Sequence, residues 1–317
     1  MALKIAALTG GVGGAKLVDG FAAIMAAENL AVVVNSGDDF EHLGLVICPD
    51  LDTVMYTLAG VANPQTGWGR ASETWNFLKT IVELGGPGWF QIGDRDLALH
   101  VERTRRLRAG EPLSAITGQL CSTLGVSVRV LPMSDDPVRT IVVTDEGDLP
   151  FQEYFVARRC EPTVRGFRFD GVEDAAPAPG VIDVIRQADV VVMCPSNPWV
   201  SLDPILALSG LRKVLEEKII LGVSPIIGGR AIKGPAAKIY ADLGYEPSAM
   251  AIAEHYRPIL SAFVIDEQDR MFQSRIEAMG LRVFVTDILM KDRSDRSRLA
   301  SEILKYIYEE LVVGMTP

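Results

Sequence analysis

The segment Leu8-Thr9-Gly10-Gly11-Val12-Gly13-Gly14-Ala15-Lys16 lies between an apolar run and a helical pattern. Its residue types suit the holding of phosphate. Glycines let backbone N–H groups approach an anion closely, and the start of the following helix adds a favourable dipole. Lys16 adds a positive charge. The segment lacks the Lys-Ser/Thr ending of a P-loop, which disfavours Walker-type hydrolysis. It also departs from the dinucleotide fingerprint: counting from Gly11 and Gly13, the third small residue falls where Lys16 stands. A purely structural turn is the plain alternative.

Several acidic and polar segments accompany it. Asn35-Ser36-Gly37-Asp38-Asp39-Phe40 follows a second apolar run. Its carboxylates suit a ribose hydroxyl or Mg²⁺, or simply a solvated turn. In Cys48-Pro49-Asp50-Leu51-Asp52-Thr53, an extended backbone would put Asp50 and Asp52 on one face, where two carboxylates bind a cation or share a proton. A helix start at Val54, capped by Asp52 or Thr53, is the alternative. Gln91-Ile92-Gly93-Asp94-Arg95-Asp96 has His100 one helical turn on. There Arg95 suits an anion, or a local ion pair.

Leu131-Pro132-Met133-Ser134-Asp135-Asp136-Pro137 and Cys194-Pro195-Ser196-Asn197-Pro198, with Ser201, are proline-bounded polar loops. Ser196 has no nucleophile-elbow pattern around it. Gly222–Gly229, continuing to Lys233-Gly234-Pro235-Ala236, offers backbone N–H groups and Lys233 to an anion.

These segments must be positioned by a scaffold, and the apolar runs say which. Lys4–Leu8, Ala31–Asn35, Val126–Leu131, Asp189–Cys194, Ile219–Val223, Ala262–Ile265 and Leu281–Thr286 read as buried strands. Helical patterns over Ala15–Ala27, Val181–Gln187, Pro204–Lys218, Ala236–Leu243, Gln268–Met279 and Ser297–Leu311 alternate with many of them. The alternation predicts an α/β fold with a Rossmann-like, doubly wound, mostly parallel sheet. The loops after residues 8, 35, 131, 194 and 223 then converge on one edge.

Residues 1–60 and 120–317 are expected to form this core. Residues 61–119 read as a mainly helical insertion. Residues 138–172, with alternating runs at Arg139–Thr144 and Phe151–Ala157, read as an antiparallel β insertion, giving a smaller α+β portion.

Composition narrows the partners. The 317 residues are 48% hydrophobic and only 7% aromatic, which suits a buried parallel sheet. The net charge of −10 gives no general attraction to nucleic acid or an anionic membrane, so neither is an expected partner. The four cysteines are far apart and form no zinc or disulfide pattern. No signal sequence or membrane-length apolar run is read, so a soluble cytoplasmic protein is expected.

In order from residue 10 to about 270, several motifs resemble the 2-phospho-L-lactate transferase family of coenzyme F-420 biosynthesis. They are Gly10–Lys16, Pro49-Asp50-Leu51-Asp52-Thr53, Gly93-Asp94-Arg95-Asp96, Leu131–Pro137, Pro195–Pro198, Ser224-Pro225-Ile226-Ile227-Gly228 and Asp266-Glu267-Gln268-Asp269-Arg270. The resemblance implies a Mg²⁺-dependent homodimeric transferase. The ribityl hydroxyl of the deazaflavin Fo attacks the distal phosphorus of a guanosine diphosphate-linked phospholactate, or its phosphoenolpyruvate counterpart, and GMP leaves.

On this basis Gly10, Gly11, Val12, Gly13, Lys16, Asn35, Ser196 and Asn197 are expected to hold the nucleotide and its phosphates. Asp50, with Asp38 or Asp39, is expected to hold the metal. Asp50 and Asp52 are the expected catalytic pair, with Asp52 and Gln91 at Fo. Gln91 stands where the resemblance suggests a basic or polar residue, and it supplies no charge. Two other readings fit part of the sequence. One is an NAD(P)- or nucleotide-binding Rossmann oxidoreductase; the other is a non-catalytic regulator that senses a nucleotide or sugar phosphate.

Overall fold

The computed structural model describes residues 2–231 and 236–312. Seven parallel strands form the central sheet: β1 (Ile5–Thr9), β2 (Leu30–Val34), β3 (Arg129–Pro132), β4 (Val190–Met193), β5 (Ile219–Val223), β6 (Ala262–Ile265) and β7 (Arg282–Val285). Their spatial order is β7-β6-β5-β4-β1-β2-β3. The order reverses at β1, which pairs with β2 on one side and β4 on the other, Ile5 lying opposite both Leu30 and Val190. This is the doubly wound arrangement, whose ligands bind where the strand order reverses.

The central strands form because both of their faces are buried. Ile5 and Ala7 of β1 join Val190 and Val192 of β4 in one apolar core, while Ala6, Leu8, Val191 and Met193 face the other. Side chains alternate across the pleat, so a continuous apolar run feeds two cores at once.

Helix α1 (Gly11–Ile24) follows β1 directly. It packs on the terminal helix Arg293–Tyr306 at Gly20, where a Cβ would collide with the Arg296 carbonyl. Asp19 fixes the same contact through Arg296 at 3.0 Å. Helix α2 (Pro49–Leu58) packs beside α1.

Residues 61–119 hold α3 (Asn76–Glu83), α4 (Asp94–Arg108) and the start of α5 (Leu113–Thr123), joined by irregular segments. An antiparallel sheet of Gly147–Pro150, Arg139–Thr144 and Val164–Asp170 stands apart from the main one. Val142, Phe151, Tyr154 and Val164 of this portion share a third core with Val200 and Ile239.

Three local expectations are corrected. Residues 151–157 are helical, ending in a π-helix at Glu153–Ala157. Phe151 and Tyr154 are three apart, and on a helix that spacing buries both together, as observed. The run Pro204–Lys218 is two short helices, Asp203–Leu206 and Leu211–Leu215, divided by Gly210 at φ +79°. The run Gln268–Met279 is a 3₁₀ segment, Glu267–Phe272, followed by Gln273–Glu277. Lys233 and its neighbours lie outside the described residues. Among the described residues no helix is long and apolar enough to cross a membrane.

Candidate active site

The loops at the carboxyl edge of the sheet enclose a cleft of about 1090 Å³. Gly10, Gly11, Val12, Gly13 and Lys16 line it from the start of α1, Ser196 and Asn197 from the loop after β4, and Asp38, Asp50, Asp52 and Gln91 from other sides. Asn35 and Asp39 are buried beside Asp38 in the loop after β2, outside the lining.

The glycine segment is the first turn of a helix rather than a separate loop. Gly11 takes φ +67°, a left-handed conformation that favours glycine. A Cβ on Gly13 would collide with the Pro195 carbonyl, and one on Gly14 with the Thr9 hydroxyl. A Cβ on Gly10 would stand 2.5 Å from Asp50 Oδ2 and 2.7 Å from Ser201 Cβ. The glycines therefore let the helix start approach both the β4 loop and Asp50. Ser196 Oγ donates to the Gly10 carbonyl at 2.8 Å and accepts from the Gly10 N–H at 3.2 Å. Lys16 Nζ donates to the Met290 carbonyl at 2.7 Å.

Asp50 and Asp52 lie in the first turn of α2, not on an extended strand. Cys48 precedes the helix without a side-chain cap, so neither Asp52 nor Thr53 is the N-cap. Two residues apart on a helix lie roughly 200° apart around its axis, so the two carboxylates face different partners. Asp50 Oδ1 accepts from the Gly11 N–H at 2.7 Å, and Oδ2 from Asn35 Nδ2 at 2.9 Å. Asn35 Nδ2 also donates to the Val200 carbonyl at 3.0 Å, and its Oδ1 accepts from the Gly37 N–H at 2.8 Å.

Burial pushes the Asp50 carboxyl up to about 6, against the hydrogen bonds from Asn35 and Gly11. Burial, then the Asp50 charge, raise Asp38 well above the carboxylate range. Burial raises Asp39 to about 7. Asp38 Oδ1 and Asp39 Oδ1 are buried without hydrogen-bond partners. Asp38 feels the charges of both Asp50 and Asp39, and the unsatisfied oxygens of Asp38 and Asp39 suit a hard divalent cation.

Asp52 faces the other way, into a buried network. Arg103 grips both of its oxygens, Nη1 at 3.1 Å and Nη2 closer still. His100 Nδ1 is 3.6 Å from Asp52 Oδ2, and its Nε2 is 3.5 Å from Asp96 Oδ1. Tyr56 Oη donates to Asp96 Oδ1 at 2.6 Å. Burial works to raise Asp96, but hydrogen bonding from His100 leads the effects that hold it below the usual range. Asp52, Asp96 and His100 have the spacing of a metal site. The guanidinium on Asp52 opposes a second cation there.

A hydrophobic wall completes the cleft. Trp68, Trp89 and Phe90 line one part, with Phe151 and Phe155 elsewhere. Trp89 and Phe90 pack edge to face at 5.7 Å between centroids, and Phe40 meets Phe90 at 4.9 Å.

The remaining sequence candidates have structural partners. Asp135 accepts from the Ser114 N–H at 2.6 Å and its hydroxyl at 2.8 Å, and Asp136 accepts from the Ala176 N–H at 2.9 Å. Neither lines the cleft. Asp94 caps α3 through Phe77 and Asn76, while the Arg95 side chain is exposed. Asp266 accepts from the Ile288 N–H at 3.1 Å and Asp269 from the Gly228 N–H at 3.0 Å, which brace loops near the cleft. Sequence reading missed Arg103, Tyr56 and the aromatic wall. For Arg103 a signal existed: Asp96, His100 and Arg103 are spaced i, i+4, i+7, one face of a helix.

Fold and site together define a doubly wound α/β protein with its ligand cleft at the switch point of the sheet. The family model described as 2-phospho-L-lactate transferase CofD matches residues 5–304. The chain belongs to that family and is an enzyme, a transferase. It is 41% identical over 315 residues to the phosphoenolpyruvate transferase of Streptomyces griseus, covering 97% of this chain and 99% of that one. It is 42% identical over 316 residues to the 2-phospho-L-lactate transferase of Methanopyrus kandleri, covering 98% and 100%. A solved upf0052-family protein from Bacillus halodurans aligns over 96% of this chain and 99% of its own, with a TM-score of 0.62 and 15% identity. That likeness concerns the fold alone.

Proposed function

We propose that this enzyme transfers the phosphoester of a three-carbon acid, phospholactate or phosphoenolpyruvate, from a guanosine diphosphate-linked donor to the ribityl hydroxyl of Fo in coenzyme F-420 biosynthesis. GMP leaves. In this reading the enzyme uses Mg²⁺ and works as a cytoplasmic homodimer.

The observation that carries the reading is one cleft holding a glycine-lined helix start, a cluster of buried carboxylates and an aromatic wall. The helix start and Lys16 suit the donor phosphates. Ser196 and Asn197 suit the nucleotide, with Asn35 holding Asp50 from beneath. The aromatic rings and Gln91 suit a flat deazaflavin.

Asp50, with Asp38 or Asp39, would hold Mg²⁺, which supplies charge neutralisation to the phosphates. The protein's share is placement. Asp52, fixed by Arg103, accepts a hydrogen bond from the attacking hydroxyl. The hydroxyl oxygen forms a bond to the distal phosphorus as its O–H bond breaks and the proton is released to water, and the bond to the bridging oxygen breaks, its electron pair leaving on GMP. Such transfer depends on positioning and charge neutralisation more than on a covalent intermediate. A nicotinamide oxidoreductase or a pure sensor has no use for the crowded carboxylates, so neither explains the cleft as well.

The test is GMP formation by the purified protein from each donor. GMP is expected only when Fo and Mg²⁺ are both present. No Fo-dependent GMP from either donor would overturn the proposal.

A further inference from the structure

The cleft has two aromatic walls, and the transfer reading brings it two flat rings. Trp89 and Phe90 adjoin Gln91, so that wall suits the deazaflavin. The second wall comes from residues 151–159, where Phe151, Phe155 and Arg159 are spaced i, i+4, i+8 and line the cleft together. Phe151 and Phe155 are stacked, 5.5 Å between centroids and 9° between planes. Phe151 is buried and backs Phe155, which is half-buried.

Two polar side chains flank these rings. Gln152 lines the cleft and is 6% exposed, and among the described residues its amide makes no hydrogen bond. A buried amide without a partner is costly, and the cleft is where this one can find a partner. Arg159 lines the cleft with an exposed side chain that has no ion pair among the described residues. Its backbone is left-handed at φ +50°, as is that of Cys160 at φ +59°, a conformation uncommon outside glycine. The Cys160 N–H donates to the Tyr154 carbonyl at 2.9 Å and holds this turn.

The wall adjoins the phosphate end of the cleft. Phe151 shares a core with Val200, and the next residue, Ser201, is packed against Gly10. One short segment therefore joins the second wall to the start of α1.

We propose that this wall is the pocket that selects guanine: Phe155 stacks on the base, Arg159 donates to its O6 and N7, and Gln152 hydrogen-bonds its edge. The inference rests on the transfer reading given above. A guanidinium offers donors only. They match the two acceptors of guanine and are opposed by the amino group that adenine carries in place of O6.

Calorimetry with GDP and ADP on the whole protein tests this without turnover, with thermal melts to establish folding. The parent is expected to bind GDP at least about tenfold tighter than ADP. Arg159→Asn removes the guanidinium and suits a left-handed backbone. It and Gln152→Leu are each expected to weaken GDP by about tenfold and leave ADP within a few-fold. Phe155→Ala is expected to weaken both nucleotides by about tenfold. 7-Deaza-GDP, which lacks N7, is expected to bind the parent several-fold more weakly than GDP.

A folded Arg159→Asn or Gln152→Leu variant that keeps the parent's GDP-to-ADP ratio overturns the proposal. An equal loss on both nucleotides marks a phosphate contact instead, and falls under that outcome. A parent that binds GDP and ADP alike, or GDP and 7-deaza-GDP alike, also overturns it. A parent that prefers GDP but gives no Fo-dependent GMP overturns the transfer reading itself, a separable result.

Discussion

Asp50 and Asp52 stand two residues apart and face different partners. Asp50 is crowded with Asp38 and Asp39 and tied to the start of α1, whereas Asp52 is matched to a buried guanidinium. Substitution separates them. Asp50→Asn is expected to lower turnover by about 100-fold and flatten its dependence on Mg²⁺ concentration, measured as initial rates across a metal titration. Metal dependence equal to the parent's would remove Asp50 from the metal site.

The residue types and spacing pointed to Asp50 and Asp52, and both line the cleft. They did not show which way each carboxylate points. That depends on the backbone being helical there, and on Arg103, fifty-one residues from Asp52, which no local pattern places nearby.

At the scale of elements, α1 carries the glycines because its start is wedged against the β4 loop. Gly13→Ala is the direct test. The new methyl must displace the Pro195 carbonyl, which is backbone and gives little. The variant is expected to lose on the order of 2 kcal/mol of stability and to bind GDP at least tenfold more weakly. Urea unfolding and calorimetry check the two effects, and a variant that matched the parent in both would show that the close approach is dispensable.

The seven strands of the sheet were legible within three residues, since runs buried on both faces, as in β1, β2 and β4, stay apolar throughout. Residues 151–157 were misread because Phe151 and Phe155 invite a period of two, while Phe151 and Tyr154 obey the helical one. The division of Pro204–Lys218 was set by Gly210, whose left-handed φ leaves no trace in an apolar pattern. The motif Leu131–Pro137 was legible as a loop, but its acids cap α5 and hold the Ala176 N–H.

At the scale of the whole molecule, buried carboxylates make stability depend on pH. Asp39 is raised to about 7 and Asp50 to about 6, both by burial, while the unfolded chain releases these protons near pH 4. The folded state therefore holds the protons longer. The associated stability is fully present below about pH 4 and is lost as pH rises through about 6 to 7. Asp39→Asn is expected to gain on the parent between pH 5 and pH 8, by on the order of 2 kcal/mol in urea unfolding. A constant difference across that range would show that Asp39 titrates normally. Mg²⁺ is expected to raise the Tm of the parent at pH 8 in a concentration-dependent way, and to do so far less in Asp50→Asn.

The pairing of β1 with β4 also sets a timetable for the molecule's birth. Ile5 lies beside Val190, and Gly10 is bonded to Ser196, so the centre of the sheet and the floor of the cleft join segments made far apart in time. At ribosomal speeds the first strand waits roughly 10–40 s for its partner. During that wait an apolar strand has β2 on one flank and nothing on the other. The half-made chain is the form most exposed to aggregation, and a slowing of synthesis between β3 and β4 prolongs that exposure without changing a single residue.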